Sequence, residues 1–264
     1  MNIPPLTWLY VPADRPDRVE KAIASAAHAV IVDLEDGVAP SAKAEARANL
    51  GALVEPRPEK PVLVRINAGE VADLEAVADL EIDAIVVPKV AGPEDVPAIG
   101  LPVHCLIESA LGLESAYAIA TTPGVAGISL GESDLRSETG ALEAGLDWAR
   151  GRIVNAAAAA GLPRPPQSVY PRLHDDEGLA QSSARGRALG HLGRMAIHPE
   201  QLPIIEQAYL PTEAEVSRAR EMVERLEAEL GATALSSGQL ADAAMLGAAL
   251  QIVAIADRYG AASD

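Results

Sequence analysis

The chain has one cysteine, Cys105, and only four lysines, Lys21, Lys43, Lys60 and Lys89. A lone thiol closes no intrachain disulfide, and the opening Met-Asn-Ile-Pro-Pro has neither the basic region nor the apolar run of a secretory signal, so a reducing cytoplasm is the expected compartment. The longest apolar stretch, Ala243 to Ala256, is interrupted by Gln251 and bounded by Asp242 and Asp257. That is short of the roughly 20 apolar residues needed to cross a bilayer. Basic charge is also scarce: 21 Lys and Arg against 38 Asp and Glu give a net charge of −17. Such a balance opposes a sequence-blind grip on nucleic acid or anionic membrane, and any anionic ligand has to be met by a local basic cluster. No GxxxxGK[ST] or GxGxxG fingerprint occurs, and the five histidines show no HExxH spacing, which leaves nucleotide, zinc and heme readings without support.

What is present is core material. With 49% hydrophobic and 22% charged residues, the 264-residue chain can bury a full interior, and wholesale disorder is excluded. Length alone allows one α/β barrel or two ordinary domains. Eight short apolar runs, bounded by turn residues, alternate with helical stretches: Trp8 to Val11, Ala29 to Leu34, Val62 to Ile66, Ala84 to Val87, Val103 to Ile107, Val125 to Leu130, Gln167 to Tyr170 and Arg194 to Ile197. Near-continuous apolar runs such as Ala-Val-Ile-Val-Asp-Leu mark strands buried on both faces, so a parallel sheet is expected. Eight of them favour an α/β fold of the (β/α)8 TIM-barrel type over a doubly wound open sheet. After Pro211 the pattern changes to a charge-laced helix over 212–230 with Thr212 as its cap, a small-residue linker over 231–238 and a last helix over 239–258. The expected organisation is a catalytic barrel over 1–211 and a C-terminal helical extension over 212–264, whose apolar face suits a neighbouring subunit.

Polar residues gather just after the apolar runs, where a barrel brings all strand ends to one rim. Glu108 and Asp134, on neighbouring staves, suit Mg²⁺, which takes one or two carboxylates and leaves positions for substrate oxygens; structural salt bridges are the alternative for both. Arg65 is the candidate bidentate clamp for a substrate carboxylate, unless it bridges Asp33 or Glu35. Asp33 and Glu35 share a face by the two-residue period and, near a divalent cation, suit acids that bind metal-held water, the equal alternative being solvated loop charges. Asp33 and His198 join Arg65 as candidate substrate contacts, and Glu35 and Asp36 are candidate catalytic acids. Arg15, Arg18 and Lys21, with Lys43 after the second run, form the best candidate phosphate site, the alternative being a solvated helix face. Tyr170, ending the seventh run, joins this cofactor set. Lys89 alone among the lysines ends a strand, so a Schiff-base aldolase would have to use it. Gly127-Ile-Ser-Leu-Gly131 fits the G-x-S-x-G nucleophile pattern, but its apolar strand runs through Ser129 where a nucleophile elbow needs a sharp turn.

Taken together, the segments 9–18, 29–40 with Lys43 and Arg47, Val-Arg-Ile-Asn at 64–67, Val-Pro-Lys at 87–89, Leu-Ile-Glu-Ser-Ala at 106–110, Gly-Glu-Ser-Asp-Leu at 131–135 and Ala-Ile-His-Pro-Glu-Gln at 196–201 resemble the CitE-like branch of the HpcH/HpaI aldolase and citrate lyase β-subunit family. The resemblance implies a (β/α)8 barrel in a homotrimer or a multiple of one, with Mg²⁺, or Mn²⁺ in its place, and a coenzyme A thioester substrate. Glu108 and Asp134 become the metal ligands, Arg65 the clamp on the oxo acid, and Arg15 to Lys21 with Lys43 the coenzyme A contacts. Asp242, in Gly-Gln-Leu-Ala-Asp, takes the place of a C-terminal aspartate that reaches a neighbour's active site as acid/base. The implied reaction is reversible cleavage of a 3-hydroxyacyl-CoA of the citryl-, malyl-, citramalyl- or hydroxymethylglutaryl-CoA type into an acyl-CoA, such as acetyl-CoA, and a 2-oxo acid. A coenzyme A-independent 2-oxo acid aldolase and a non-catalytic coenzyme A-binding paralogue are the rival readings. The sequence departs from the family pattern at Ser133, Leu240 and Ala243-Ala244-Met245.

Overall fold

In the computed structural model, which describes residues 3–228, 233–238 and 240–260, strands and helices alternate as the apolar runs predict. The order is β1 (Thr7–Pro12), α1 (Pro16–Ala24), β2 (Ala29–Asp33), α2 (Lys43–Val54), β3 (Val62–Arg65), α3 (Val71–Val77), β4 (Ala84–Val87), β5 (Val103–Ile107), α4 (Ala110–Glu114), α5 (Ala116–Ala120) and β6 (Val125–Leu130). It continues with α6 (Glu132–Thr139), α7 (Leu146–Ala159), α8 (Asp176–Ala188), β7 (Arg194–Ala196) and α9 (Gln201–Tyr209). All seven strands are parallel, in the order β6-β5-β4-β3-β2-β1-β7, the curled sheet of a TIM-barrel-like fold.

Strand periodicity sorts the side chains. Trp8, Ala29, Ile31, Leu63, Ala84, Val86, Leu106 and Met195, drawn from six strands, form one buried cluster. Residues of strands that far apart in the sheet meet only across the inside of a curled sheet, so these positions face the barrel axis. The same period carries Asp33, Arg65 and Glu108 to the next layer, at the C-terminal rim. The intervening residues, such as Val30, Val32, Val64 and Ile85, are buried as well; a strand covered on both faces has to be apolar throughout.

The predicted strand Gln167 to Tyr170 is a correction. It is reduced to one bridge, Gln167 beside Arg194, with Gln167 N donating to Gly193 O and Met195 N to Gln167 O, both at 2.9 Å. Pro165, Pro166 and Pro171 flank it, and proline has no amide to extend a ladder.

Chain contacts separate a unit of Pro4–Ala208 from a second unit made from Tyr209 onwards with the N-terminal residue Ile3. The second unit contains α10 (Glu213–Ala228), an antiparallel pair β8 (Thr233–Ala234) and β9 (Leu240–Ala241), and α11 (Ala243–Tyr259). Its own core joins Ala219, Met222, Leu235, Ala241 and Ala249. Thr212 caps α10 as expected: Glu215 N donates to its hydroxyl at 3.2 Å while Thr212 N donates to the Glu215 carboxylate at 2.7 Å. The expected linker over 231–238 carries β8 instead. The last helix begins after Asp242, whose carboxylate accepts from Ala244 N at 2.9 Å and caps α11. Gln239, its predicted start, lies outside the described residues, as does Leu230, the predicted end of the preceding helix.

Candidate active site

At the end of β2 the chain turns through Leu34-Glu35-Asp36-Gly37 around the Asp33 carboxylate. Asp33 Oδ1 accepts from Glu35 N at 3.0 Å and Oδ2 from Gly37 N at 2.8 Å. From the adjacent β3, Arg65 closes the pair: Nε reaches Asp33 Oδ1 and Nη2 reaches Oδ2, both at 2.6 Å, and Nη1 meets Glu35 Oε2 at 2.8 Å. The guanidinium also lies 4.9 Å from the centroid of the Tyr10 ring. Both readings of Arg65 therefore bear on one geometry. Three of its five N–H donors hold Asp33 and Glu35, and two remain for a ligand. Asp33 is saturated by Arg65 and the loop amides, so its geometry makes it the holder of Arg65 and leaves little of it for substrate. Glu35 also takes Lys89 Nζ at 2.7 Å, standing between two cations.

Lys89 is the only non-glycine residue with positive φ, 59°, among the described residues. Such a conformation costs about 1–3 kcal/mol and persists where the surroundings enforce it. Here its ammonium is held by Glu35, and its amide donates to Glu108 Oε2 at 3.2 Å. The bond to Glu35 raises the lysine's pKa above its ordinary value, and a protonated lysine is no Schiff-base nucleophile.

Glu108 directly follows β5 and is buried. Burial, with the charges of Glu35 and Asp134 adding to it, raises its pKa from the usual 4.5 to about 7. Gly131 explains how the carboxylate fits. A Cβ there would sit 2.5 Å from Glu108 Cγ and 2.6 Å from Oε1, so only glycine lets β6 leave the barrel beside it. Asp134 follows in the first turn of α6. Glu132, two residues earlier, is fixed by the buried Arg150, with Nε to Oε1 at 2.8 Å and Nη2 to Oε2 at 2.6 Å.

These residues border a cavity of about 420 Å³ whose lining includes Tyr10, Asp33, Asp36, Arg65, Glu108, Glu132 and Asp134. Acids outnumber the single arginine. Glu108 accepts one backbone bond, and Asp134 and Asp36 make no ion pair among the described residues, so carboxylate oxygens remain for a cation. The donor set fits a hard, oxygen-preferring divalent ion. Among the described residues no three His, Cys, Asp or Glu side chains are arranged to hold a metal. A cation on this pair would draw its other oxygens from water and ligand, which matches Mg²⁺.

The other candidates lie apart. Arg15 and Arg18 are exposed at the start of α1; Arg15 makes a loose contact of 3.8 Å with Asp14, and Lys21 one of 3.4 Å with Asp17. Lys43 donates to Asn67 Oδ1, and Asn67 in turn binds Asp73 at 2.6 Å, the partner of Arg47 at 2.7 Å. Lys43 is thus drawn to the loop after β3. Tyr170 lines a different cavity, its hydroxyl donating to Asp175 at 2.5 Å and accepting from Arg172 at 2.7 Å. His198 lies near Glu200, at 3.5 Å, and does not border the acidic cavity, whereas its neighbour Ile197 does. Asp242 caps α11 in the second unit. Tyr10 was not singled out from sequence; the Trp8-Tyr10-Pro12 alternation that faces the barrel axis was the available signal. Burial and the charges of Asp33, Glu108 and Glu35 raise its pKa, keeping it a neutral hydroxyl.

Ser129 is fully buried inside β6 and pairs with His104 Nε2 at 2.8 Å. Burial lowers the His104 pKa to about 4, and a Cβ on Gly127 would lie 2.5 Å from its ring. The G-x-S-x-G pattern therefore serves packing, with glycine and serine making room for a buried imidazole.

The model of the HpcH/HpaI aldolase/citrate lyase family matches residues 6–100 and 100–199. The chain belongs to this family. It is 36% identical to the (3S)-malyl-CoA thioesterase of Cereibacter sphaeroides, with 83% of this chain and 82% of that one covered. The citrate lyase subunit beta-like protein of Mycobacterium tuberculosis is 35% identical, covering 90% and 91%. The L-malyl-CoA/beta-methylmalyl-CoA lyase of Cereibacter sphaeroides is 31% identical, covering 96% and 95%. Among solved structures, CitE of Mycobacterium tuberculosis in complex with magnesium, acetoacetate and coenzyme A superposes with a TM-score of 0.82 at 33% identity, covering 95% of this chain and 97% of that one.

Proposed function

We propose that the chain is a Mg²⁺-dependent acyl-CoA lyase that reversibly cleaves a 3-hydroxyacyl-CoA into an acyl-CoA, such as acetyl-CoA, and an oxo acid: a 2-oxo acid from the citryl-, malyl- or citramalyl-CoA type, the 3-oxo acid acetoacetate from the hydroxymethylglutaryl-CoA type. The observation that carries this reading is the acidic cavity in which Glu108 and Asp134 keep free oxygens beside an Arg65 oriented by Asp33 and Glu35. Glu108 and Asp134 are the residues that would hold Mg²⁺, or Mn²⁺; when bound, the ion supplies Lewis-acid polarisation of substrate oxygens. Arg65 offers its two remaining N–H donors to the carboxylate of the oxo-acid half, in a position set by its bonds to Asp33 and Glu35. Tyr10 lies beneath Arg65, and its neutral hydroxyl adds no charge to an already acidic site. Cleavage needs a base to take the hydroxyl proton, and the resulting alkoxide collapses to the oxo acid as the C–C bond breaks. The electron pair passes to the thioester enolate, which takes a proton to give the acyl-CoA. Asp36, exposed on the cavity rim, is in reach of such a role on this chain; Asp242 of a neighbouring subunit is the assigned acid/base for the enolate.

Arg15, Arg18 and Lys21 are assigned to the phosphates of coenzyme A, supported by three exposed cations on α1 and its N-cap in a chain of net charge −17. The assembly this requires is a homotrimer or a multiple of one, with the C-terminal extension on its neighbour, in the cytoplasm. The described residues contain no helix long and apolar enough to cross a membrane.

A second reading, thioester hydrolysis at the same site, has one of the relatives in its favour. Products separate the two. From malyl-CoA, a lyase releases a 2-oxo acid and acetyl-CoA with no free thiol; a thioesterase releases malate and free coenzyme A thiol. Mg²⁺-dependent release of oxo acid from one of the four thioesters, acetoacetate in the hydroxymethylglutaryl-CoA case and a 2-oxo acid in the others, supports the lyase. Thiol without 2-oxo acid establishes the thioesterase, and neither product, with coenzyme A still bound, leaves a binding paralogue.

A further inference from the structure

Beside the acidic cavity, within the same unit, lies a second one of about 550 Å³, bordered by the start of α6, by α7 and α8, and by the segment Val169–Arg172. The two share Glu132, Ser133 and Val169, yet their charge is opposite. Five arginines line the second cavity against two glutamates, Glu132 and Glu143. In a chain of net charge −17 such a concentration of guanidinium groups is unexpected.

The acids there are already committed. Arg150, 1% exposed, takes both Glu132 oxygens and also Glu143 at 2.7 Å. The more exposed arginines are held from one side only. Arg172 binds Tyr170 and Asp175 through Nε and Nη2, and Arg185 binds Asp147 through the same two atoms. Their Nη1 groups have no partner among the described residues. Arg136 makes only a contact of 3.8 Å with Glu143. Guanidinium groups fixed in place with spare N–H donors are a preorganised receptor for carboxylate or phosphate.

The geometry points to an anion subsite: this cavity takes a carboxylate or phosphate group of a small molecule on Arg136, Arg172 and Arg185. Two sources have this chemistry. One is a distal carboxylate of the substrate whose reacting end lies in the acidic cavity, a case that rests on the proposed lyase function. The other is a free anion, for which inorganic phosphate is the probe.

The test compares the wild type with Arg172→Gln/Arg185→Gln, and with Arg136→Gln, which leaves α8 untouched. Phosphate binding is measured by calorimetry against sodium chloride of equal ionic strength. KM and kcat are measured for condensation of acetyl-CoA with oxaloacetate, which has two carboxylates, and with pyruvate, which has one. A free anion predicts saturable phosphate binding weakened at least about tenfold in both variants, with either oxo acid used as before. A distal carboxylate predicts an oxaloacetate KM raised about tenfold with kcat and the pyruvate KM unchanged. Phosphate binding no different in the variants, together with an unchanged oxaloacetate KM, overturns the proposal. Should the protein condense neither oxo acid, the citryl- and citramalyl-CoA readings of the lyase fail separately, while the malyl- and hydroxymethylglutaryl-CoA readings are tested with glyoxylate and acetoacetate. The calorimetry then decides alone: binding lost in the variants supports the site, and equal or absent binding refutes it.

Discussion

Arg65 holds two buried carboxylates and, on the proposed function, a third from the substrate, so its replacement separates structure from catalysis. The side chains of Asp33 and Glu35 are both 4% exposed, and Arg65 makes three contacts of 2.6–2.8 Å with them. Arg65→Ala takes from Asp33 the guanidinium that closes its pair and leaves Glu35 with Lys89 alone, and removing one partner of a buried pair costs about 3–5 kcal/mol. Arg65→Lys keeps the charge but not the fork. A single ammonium cannot span both Asp33 oxygens and Glu35, so at least one charge-assisted bond is lost, for about 1.5–3 kcal/mol. Loss of the bidentate clamp on the substrate removes a further ~2–3 kcal/mol from the transition state, which lowers kcat/KM about 30- to 150-fold. Urea unfolding of metal-free protein reads the first effect, and initial rates of 2-oxo acid release read the second. An Arg65→Lys variant within ~0.5 kcal/mol of wild type and within about threefold in kcat/KM would refute both the role in holding the acids and the clamp.

Gly131→Ala drives a Cβ into Glu108 Cγ, so it should weaken Mg²⁺ binding at least about tenfold by calorimetry while the protein stays folded; unaltered affinity contradicts the placement of Glu108 as ligand. In metal-free protein Glu108 titrates near 7, above its ordinary 4.5. The folded state therefore keeps this proton longer than the unfolded chain, and the stability that goes with it is present below about 4.5 and lost as pH rises to about 7, a difference of up to ~3 kcal/mol. Glu108→Gln should flatten that part of the pH dependence of unfolding in EDTA, and an unchanged profile argues against the raised pKa. Ser129→Ala leaves His104 without its partner and costs about 1 kcal/mol of stability, with kcat unchanged; loss of activity would revive the serine as nucleophile.

The parallel strands were legible because residues buried on both faces must be apolar, and Ala-Val-Ile-Val at 29–32 satisfies that in full. The rim was legible for the same reason in reverse, since a charged residue closing such a run, as Asp33, Arg65 and Glu108 do, has only the barrel mouth to face. The seventh strand misled because Gln167 to Tyr170 has strand-like side chains while the prolines around it lack the amides that pairing needs. Tyr10 passed unseen because an aromatic inside a strand reads as core; its site role depends on what stacks above it. How Arg65 divides its donors between Asp33, Glu35 and a ligand depends on side-chain geometry across two strands, which spacing does not encode. Nor does the sequence pattern tell Tyr170 from a rim residue, as its hydroxyl is turned to Asp175 and Arg172 in the neighbouring cavity.

The central claim is that Glu108 and Asp134 hold the metal on which carbon–carbon cleavage depends. Its most direct test is a Mg²⁺ titration of 2-oxo acid release from the preferred thioester, for wild type, Glu108→Gln and Asp134→Asn, with Mg²⁺ binding measured on the same samples. The account predicts activity abolished by EDTA and restored by Mg²⁺ in the wild type, with binding and turnover lost together in both variants. Full turnover in EDTA, or variants that bind and cleave like the wild type, would contradict it.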